Sequence, residues 1–180
     1  ADQAFARAEE RFRKQEFSDA RKLYRMVGEN AEDSETRRNA WHNAGLCSMS
    51  LEDYADALVL FERAMGETAS DEEHAMTRAL LGQCLAKLGR WDDARDAFRR
   101  ALATEVLPSK VRVEALVWDA RGAMVGDDLK RAEVRLAEAQ GVLLDTVRIR
   151  DQQGNELLAQ SYFFRAEIFR VMARRLKMVL

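Results

Sequence analysis

The feature that most constrains this chain is an alanine that returns at nearly constant spacing. The alanines stand 37, 37 and 38 residues apart and are Ala20, Ala57, Ala94 and Ala132. A large apolar residue follows each of them by four positions, namely Tyr24, Phe61, Phe98 and Leu136. A small residue precedes each by twelve positions, namely Ala8, Gly45, Gly82 and Ala120. Four units therefore share one internal template.

The template has a simple explanation in the packing of antiparallel helices. Where two helices cross closely, one backbone must offer Gly or Ala, and a large side chain of the other helix fills the space beside it. The composition agrees, because 28 Ala and 20 Leu with 2 Ile and 1 Pro are typical of helices and exclude an all-β fold. Each unit is therefore predicted to be a pair of antiparallel helices.

Local signals place some of the helix ends. Gly89 and Gly126 stand where the first helix of units three and four should end. Ser70 with Glu73 has the sequence of a capping box at the start of the third unit. Pro108 marks the break before the fourth unit.

These units resemble a known family of helical repeats. The residues that carry the resemblance are Trp41-x-x-Ala44-Gly45 with Ala57-x-x-x-Phe61 and Ala64, and Leu81-Gly82 with Ala94-x-x-x-Phe98 and Ala101. This pattern is similar to the tetratricopeptide repeat (TPR). Units one and four match less well, because Arg7 and Asp119 stand at the family's leucine position.

The resemblance implies an all-α fold, a right-handed α-solenoid of antiparallel helix pairs. We predict four helix-turn-helix repeats in residues 1–146, divided at about 1–37, 38–74, 75–112 and 113–146. The family repeat has about 34 residues, and the additional residues in each unit predict longer helices and a changed superhelical curvature.

The last part of the chain, 147–180, departs from the template. We predict that the last helix of unit four continues to about Arg150, that a break lies at 152–155, and that a final helix runs from about Glu156 to Lys177. This helix would cap the array or form half of a fifth repeat. Its apolar and basic residues also make it a candidate second interface, for self-association, for acidic lipid or for an acidic partner. The residues of this interface would be Phe163, Phe164, Arg170, Arg174 and Arg175.

The resemblance also implies where a partner would bind, because TPR arrays hold partners in a concave groove lined by the first helix of each unit. The corresponding residues here are Phe5, Glu9, Phe12, Asn39, His42, Leu46, Met49, Met76, Gln83, Lys87, Val117, Arg121 and Met124. The apolar, methionine-containing centre of this set favours a peptide or helical segment as the ligand. The alternative is that Phe12, Met49 and Met124 only pack between neighbouring repeats.

The best-known groove of the family, the clamp for chaperone C-termini, is not expected here. Only Asn43 agrees with the clamp residues, and Glu9 would repel a terminal carboxylate. His42 could report pH, but we expect an ordinary polar group of the groove, since its helical neighbours offer no carboxylate or thiol. Cys47 and Cys84 hold equivalent positions in adjacent units and should be reduced and buried, because equivalent positions on packed helices lie too far apart for a disulfide.

The sequence excludes several classes of function. It has no phosphate loop, HExxH or GxSxG motif and no cysteine and histidine spacing for a structural metal, so we expect neither an enzyme nor a cofactor. With 29 basic and 31 acidic residues the net charge is -2, which disfavours nucleic acid as a partner. No apolar run is long enough to span a membrane, and there is no signal-peptide pattern.

The sequence therefore predicts a non-catalytic scaffold that binds a protein or peptide, within a larger assembly. The alternatives are a sensor module of a larger signalling protein and a self-association module that uses the C-terminal helix. The compartment stays open between cytoplasm, which is favoured, and bacterial periplasm. Arg outnumbers Lys by 23 to 6, which is typical of a bacterial protein from a GC-rich genome.

Overall fold

The computed structural model describes residues 2–145 and 152–179, without the side chains of residues 2, 152, 153 and 175–179. Throughout this part of the chain the regular elements are α-helices. They are α1 (Asp2–Arg13), α2 (Phe17–Asn30), α3 (Ser34–Ser50), α4 (Tyr54–Met65), α5 (Asp71–Lys87), α6 (Trp91–Leu102), α7 (Ser109–Val125), α8 (Leu129–Asp145) and α9 (Gln152–Val179). The predicted all-α solenoid is confirmed.

The first eight helices form four hairpins with the same internal geometry. The first helices end at 13, 50, 87 and 125, and the second helices begin at 17, 54, 91 and 129, so both boundaries recur at the spacing of the sequence repeat. Each intervening turn contains one residue with positive φ, namely Gln15 (60°), Glu52 (58°), Gly89 (76°) and Asp127 (62°). Of these turns, only the third uses glycine, the residue that takes this conformation without steric cost.

The predicted contact between large and small residues forms the centre of the hairpins. Tyr24, Phe61 and Phe98 are among the largest fully buried side chains. A β-carbon added to Gly45 would lie 2.6 Å from the ring of Phe61, and one added to Gly82 would lie 2.5 Å from the ring of Phe98. The two glycines are therefore required by the close approach of the aromatic rings, and not by a turn.

The unit boundaries differ slightly from those predicted. The predicted divisions after residues 37, 74 and 112 fall inside the first turns of α3, α5 and α7, because these helices begin at Ser34, Asp71 and Ser109. α3, α5 and α7 each have 17 residues. The capping box predicted at the start of α5 is confirmed, since the Ser70 side chain accepts from the Glu73 amide and the Glu73 side chain accepts from the Ser70 amide.

The C-terminal part was predicted incorrectly in one respect. α9 already begins at Gln152, so the break predicted at 152–155 is absent, and Gly154 is a buried residue within the helix. α8 is described to Asp145, and its predicted continuation to about Arg150 lies outside the described residues. The helix is fixed at its start by tertiary contact, because Gly154 and Leu157 are buried where α9 packs on the preceding helices.

Polar contacts join α9 to the fourth unit. Gln140 Nε2 donates to Ser161 Oγ over 3.1 Å in a fully buried contact. Arg165 extends this connection with an ion pair to Glu133 at 2.8 Å. Ile168, with no exposed surface, completes the apolar part of the contact. α9 is therefore an integral part of the array.

A buried ion cluster lies inside the fourth hairpin. Asp119 of α7 is 3% exposed and accepts from Arg131 at 2.5 Å and from Arg135 at 2.9 Å, both on α8. The carboxylate stands where the family resemblance predicts a leucine. The two arginines supply the charge and the hydrogen bonds that make burial of this carboxylate tolerable.

Candidate functional site

The first helices of the first two units enclose an open depression of about 460 Å³. Phe12 and Leu46 provide apolar walls, and Glu9, Arg13 and Asn43 provide polar groups around them. Tyr24 of α2 lies behind these side chains. The depression can accept an apolar side chain while its rim forms hydrogen bonds with a backbone.

A second depression of about 190 Å³ lies one unit further along, between α3 and α5. Its lining comprises Arg38, Asn39, His42, Glu73, Met76 and Thr77. Arg38 is held in place by an ion pair with Glu73 at 2.6 Å and by a hydrogen bond to the Thr68 carbonyl at 2.7 Å. The polar groups of this depression are therefore fixed across the boundary between two units.

The face continues through the third and fourth units as alternating cations and aromatic rings. Lys87 Nζ lies 5.4 Å from the centroid of the Tyr54 ring and 5.7 Å from that of Trp118. Arg121 lies over Trp118 at 4.4 Å and near Phe164 of α9 at 5.7 Å. Lys87 and Arg121 form no ion pair with any residue of the described chain, and both side chains are exposed. Their charge is available to a ligand.

Gln83, predicted to line the groove, lies beside Glu114 of the next unit. Burial raises the pKa of Glu114, and the neighbouring Gln83 amide opposes this rise. The pair lies between α5 and α7.

The structure thus brings together most, but not all, of the predicted groove residues. Those that line a depression or lie beside the cation and aromatic series are Glu9, Phe12, Asn39, His42, Leu46, Met76, Lys87 and Arg121. Val117 was predicted wrongly, because it is 3% exposed and belongs to the apolar core of the fourth unit. The cause is the wider burial of α7, which packs against helices on several sides.

Three further predicted residues contribute mainly to packing. Phe5 lies against Tyr24, with ring centroids 5.3 Å apart. Met49 and Met124 are partly buried and pack against separate core clusters, which agrees with the packing alternative for these two residues. Phe12 has two roles. It lines the first depression, and it packs edge to face against Phe17, with ring centroids 5.4 Å apart.

The second predicted interface also needs one correction. Phe163 is 66% exposed, and Arg170 and Arg174 are exposed as well. Phe164, by contrast, turns toward the array, where it is partly buried against the core of the fourth unit. The side chain of Arg175 lies outside those that the structure describes.

The residues predicted from the sequence did not include Trp118 and Arg38, which the structure places beside them. Trp118 occupies the place in unit four that Asn43 occupies in unit two, two repeats earlier. Asn43 itself lines the first depression. The repeat spacing counted from Asn43 would have identified Trp118 as the equivalent residue of unit four.

The two cysteines have no exposed surface and are free. Burial raises the pKa of the Cys47 thiol to about 11 and that of the Cys84 thiol to about 12. Because the thiolate is the reactive form, neither group is poised for nucleophilic chemistry near neutral pH. Within the described ranges, no cluster of His, Cys, Asp or Glu could hold a metal ion, and no helix is long and apolar enough to cross a membrane.

His42 is held between the second and third units. Its Nδ1 lies 3.2 Å from Thr77 Oγ1, and the Thr77 hydroxyl donates its proton to the Glu73 carbonyl at 2.9 Å. The hydroxyl proton is already used, so His42 Nδ1 must be the donor to Thr77. Burial lowers the pKa of His42, and the nearby Arg38 guanidinium lowers it further.

This lowered pKa predicts a pH dependence of stability. In the unfolded chain His42 titrates near its ordinary value of about 6.5, so between that value and the lower folded pKa the unfolded state binds more protons. The contribution of neutral His42 to the free energy of unfolding is fully present above the unfolded pKa. It is lost as pH falls from the unfolded pKa of His42 through its folded pKa. Urea unfolding at several pH values should therefore show a steeper loss on acidification for the wild type than for His42→Gln.

The comparison with the variant isolates the histidine. Glu114 has a raised pKa and contributes an opposite slope above its ordinary value, but it is unchanged in both proteins. Equal slopes for the two proteins between about pH 7 and pH 5 would contradict the assigned shift.

Comparisons with known proteins agree with this architecture. Residues 36–104 match the model of a family described as tetratricopeptide repeat. A crystal structure of nearly identical TPR-like repeats from a putative kinesin light chain of Podosopora anserina is 16% identical, with a TM-score of 0.68, over 96% of this chain and 91% of that chain. No curated protein sequence matches significantly.

Two further similar structures are of proteins that bind peptides. YrrB, described as a TPR protein with an unusual peptide-binding site, is 17% identical with a TM-score of 0.57, over 96% of this chain and 90% of that chain. PlcR of Bacillus thuringiensis, in complex with the peptide PapR7 and DNA, is 13% identical with a TM-score of 0.66, over 96% of this chain and 62% of that chain. At these identities the likeness concerns the fold alone.

Proposed function

We propose that this array, whose residues 36–104 match the tetratricopeptide repeat family, is a non-catalytic scaffold that binds a partner segment along the face formed by its first helices. The fold is that of a protein–protein interaction module. The observation that carries the proposal is that side chains of the first helices line depressions at the first two unit boundaries and place the cations Lys87 and Arg121 beside Trp118 in the third and fourth units.

The N-terminal half of this surface suits an apolar anchor. The depression beside Phe12 and Leu46 has room for a large side chain, and aromatic and aliphatic anchors in such pockets commonly carry most of the binding energy. Asn43 and Asn39 can bond to the backbone of an extended or helical segment, because an amide side chain both donates and accepts hydrogen bonds.

The C-terminal half suits an acidic residue of the same segment. Lys87 and Arg121 flank Trp118, and their charges are not neutralised by an ion pair within the described chain. A carboxylate bound there would form charge-assisted hydrogen bonds. The ligand we propose is therefore an amphipathic peptide segment with an apolar anchor at one end and an acidic residue at the other.

The test uses peptides selected on the wild-type chain from a random display library, followed by affinity measurements by fluorescence polarisation. We expect Lys87→Glu to weaken binding of these peptides about tenfold or more, because it replaces an attractive charge with a repulsive one. We expect Leu46→Asp to weaken binding similarly, since it removes an apolar wall of the first depression. Binding should also weaken with added salt.

Val59→Asp on α4 is the matched control, because Val59 is 48% exposed and lies on a second helix. Circular dichroism of all three variants shows whether they are folded. Because the Lys87 side chain is exposed in the free protein, Lys87→Glu should leave the fold intact. The proposal fails if both groove variants bind like the wild type, or if the control loses as much affinity as they do.

A further inference from the structure

α9 carries a regular stripe that faces away from the array. Three alanines, Ala159, Ala166 and Ala173, recur at seven-residue intervals, and all three are exposed. Between them lie Tyr162, 52% exposed, and Phe169, 53% exposed. Small and aromatic residues thus alternate at spacings of three and four along one side of the helix, which is the spacing of a coiled-coil seam.

The rest of the array shows how such a stripe is normally covered. In the second and third units the first helix offers a glycine, and the second helix places a large ring over it, as Phe61 does over Gly45 and Phe98 over Gly82. α9 offers both kinds of residue on the same stripe, and within the described chain no helix covers it. The stripe therefore exposes both halves of the contact that holds the hairpins together.

We propose that two copies of this chain associate through this stripe, with their α9 helices antiparallel about a two-fold axis. In that arrangement Ala166 of one copy opposes Phe169 of the other, and Tyr162 opposes Ala173. Each layer then contains one ring and one alanine, so the backbones can approach closely without leaving a cavity. The contact is self-complementary and closes at two copies.

The alternative parallel arrangement in register is less favourable. It would place Tyr162 on Tyr162 and Ala166 on Ala166, so that crowded layers alternate with empty ones. The antiparallel arrangement also places the two helix dipoles in opposite directions, which is the favourable orientation. At its edge, Phe163 of one copy comes beside Arg170 of the other, where a cation over a ring is a favourable contact.

Sedimentation equilibrium of the full chain tests the proposal. We expect a dimer for the wild type, and a dimer at least about tenfold weaker for Ala166→Phe, because this change sets ring against ring in two symmetric layers. The double variant Ala166→Phe with Phe169→Ala should recover the dimer, since it restores one ring and one alanine in each layer with their positions exchanged.

Val134→Phe on α8 is the matched control, because Val134 is 52% exposed on another surface and the change also adds a ring. It should dimerise like the wild type, and circular dichroism should show the same helix content for all variants. A wild-type monomer at about 100 μM would overturn the proposal, as would oligomers larger than two. So would a double variant that stays as weak as Ala166→Phe.

Discussion

Replacing Gly82 with alanine is expected to destabilise the array by about 2 kcal/mol, although alanine is the better helix former by about 1 kcal/mol. The added β-carbon would lie 2.5 Å from Cε1 and 2.8 Å from Cδ1 of the Phe98 ring. Phe98 is 1% exposed, so a shift of the ring would disturb the packing of the core around it. Overpacking should therefore exceed the gain in helix propensity. The measurement is the free energy of urea unfolding by circular dichroism.

Gly141→Ala is the control for this prediction, because Gly141 also lies in a helix but a β-carbon there meets nothing within 4 Å. We expect this variant to be as stable as the wild type or more stable, since only the propensity changes. Adding Phe98→Leu to Gly82→Ala should relieve part of the loss, because the two sites are in contact. If Gly82→Ala were stabilising, the ring and the glycine would not be in the close contact described.

Replacing Asp119 with alanine is expected to cost about 3 kcal/mol, the largest single-residue effect that we predict outside the aromatic core. The change removes a carboxylate that is 3% exposed and takes from Arg131 and Arg135 their common partner, while Arg135 keeps its ion pair with Glu138 at 2.9 Å. Both arginine side chains are about three-tenths exposed, and the resulting contact with water limits the loss. The effect should be concentrated in the fourth hairpin.

Hydrogen exchange can locate this effect, because repeat arrays open unit by unit. Protection should fall in α7 and α8 and change little in α3 and α4. Asp93→Ala provides the comparison, since its ion pair with Arg90 at 2.7 Å is more than half exposed on both sides and surface pairs contribute little. If Asp119→Ala and Asp93→Ala lowered the free energy of unfolding by the same amount, the buried cluster would not be the stabilising feature.

Asp119 also shows what the sequence could and could not predict. Its position was identified as a departure from the family pattern, which made unit four a weak match. The buried Asp119 charge is neutralised from the other helix of the hairpin, by Arg131 and Arg135. In the sequence, arginines at those positions look like ordinary surface charges. A substitution in one helix and its partners in the next are visible only when the packing is known.

The hairpins themselves were predictable because their contacts are local in sequence. A small residue and a ring separated by a fixed number of positions determine the pairing of two helices, as Gly82 and Phe98 do. The start of α9 was not predictable in this way. Gly154 and Asn155 have low helix propensity, but burial of Gly154 and Leu157 against the fourth unit outweighs this propensity.

The repeat spacing assigned the candidate residues to one face of the first helices, and His42 and Met76 from this set line the same depression. The depth of each position depends on how closely the neighbouring helices approach, and this decided that Val117 is buried while Arg121 is exposed. Periodicity identifies a face, but it does not give the curvature of that face.

The common backbone of the hairpin turns has a consequence for how such an array can grow or shrink. Glu52 and Gly89 hold the same left-handed conformation, 37 residues apart, immediately before equivalent starts of a second helix. A recombination that joined Glu52 directly to Arg90 would delete one unit and still leave a residue with that conformation at the junction. The reverse event would duplicate a unit. The length of the array could therefore change by whole units, without any new backbone conformation having to arise.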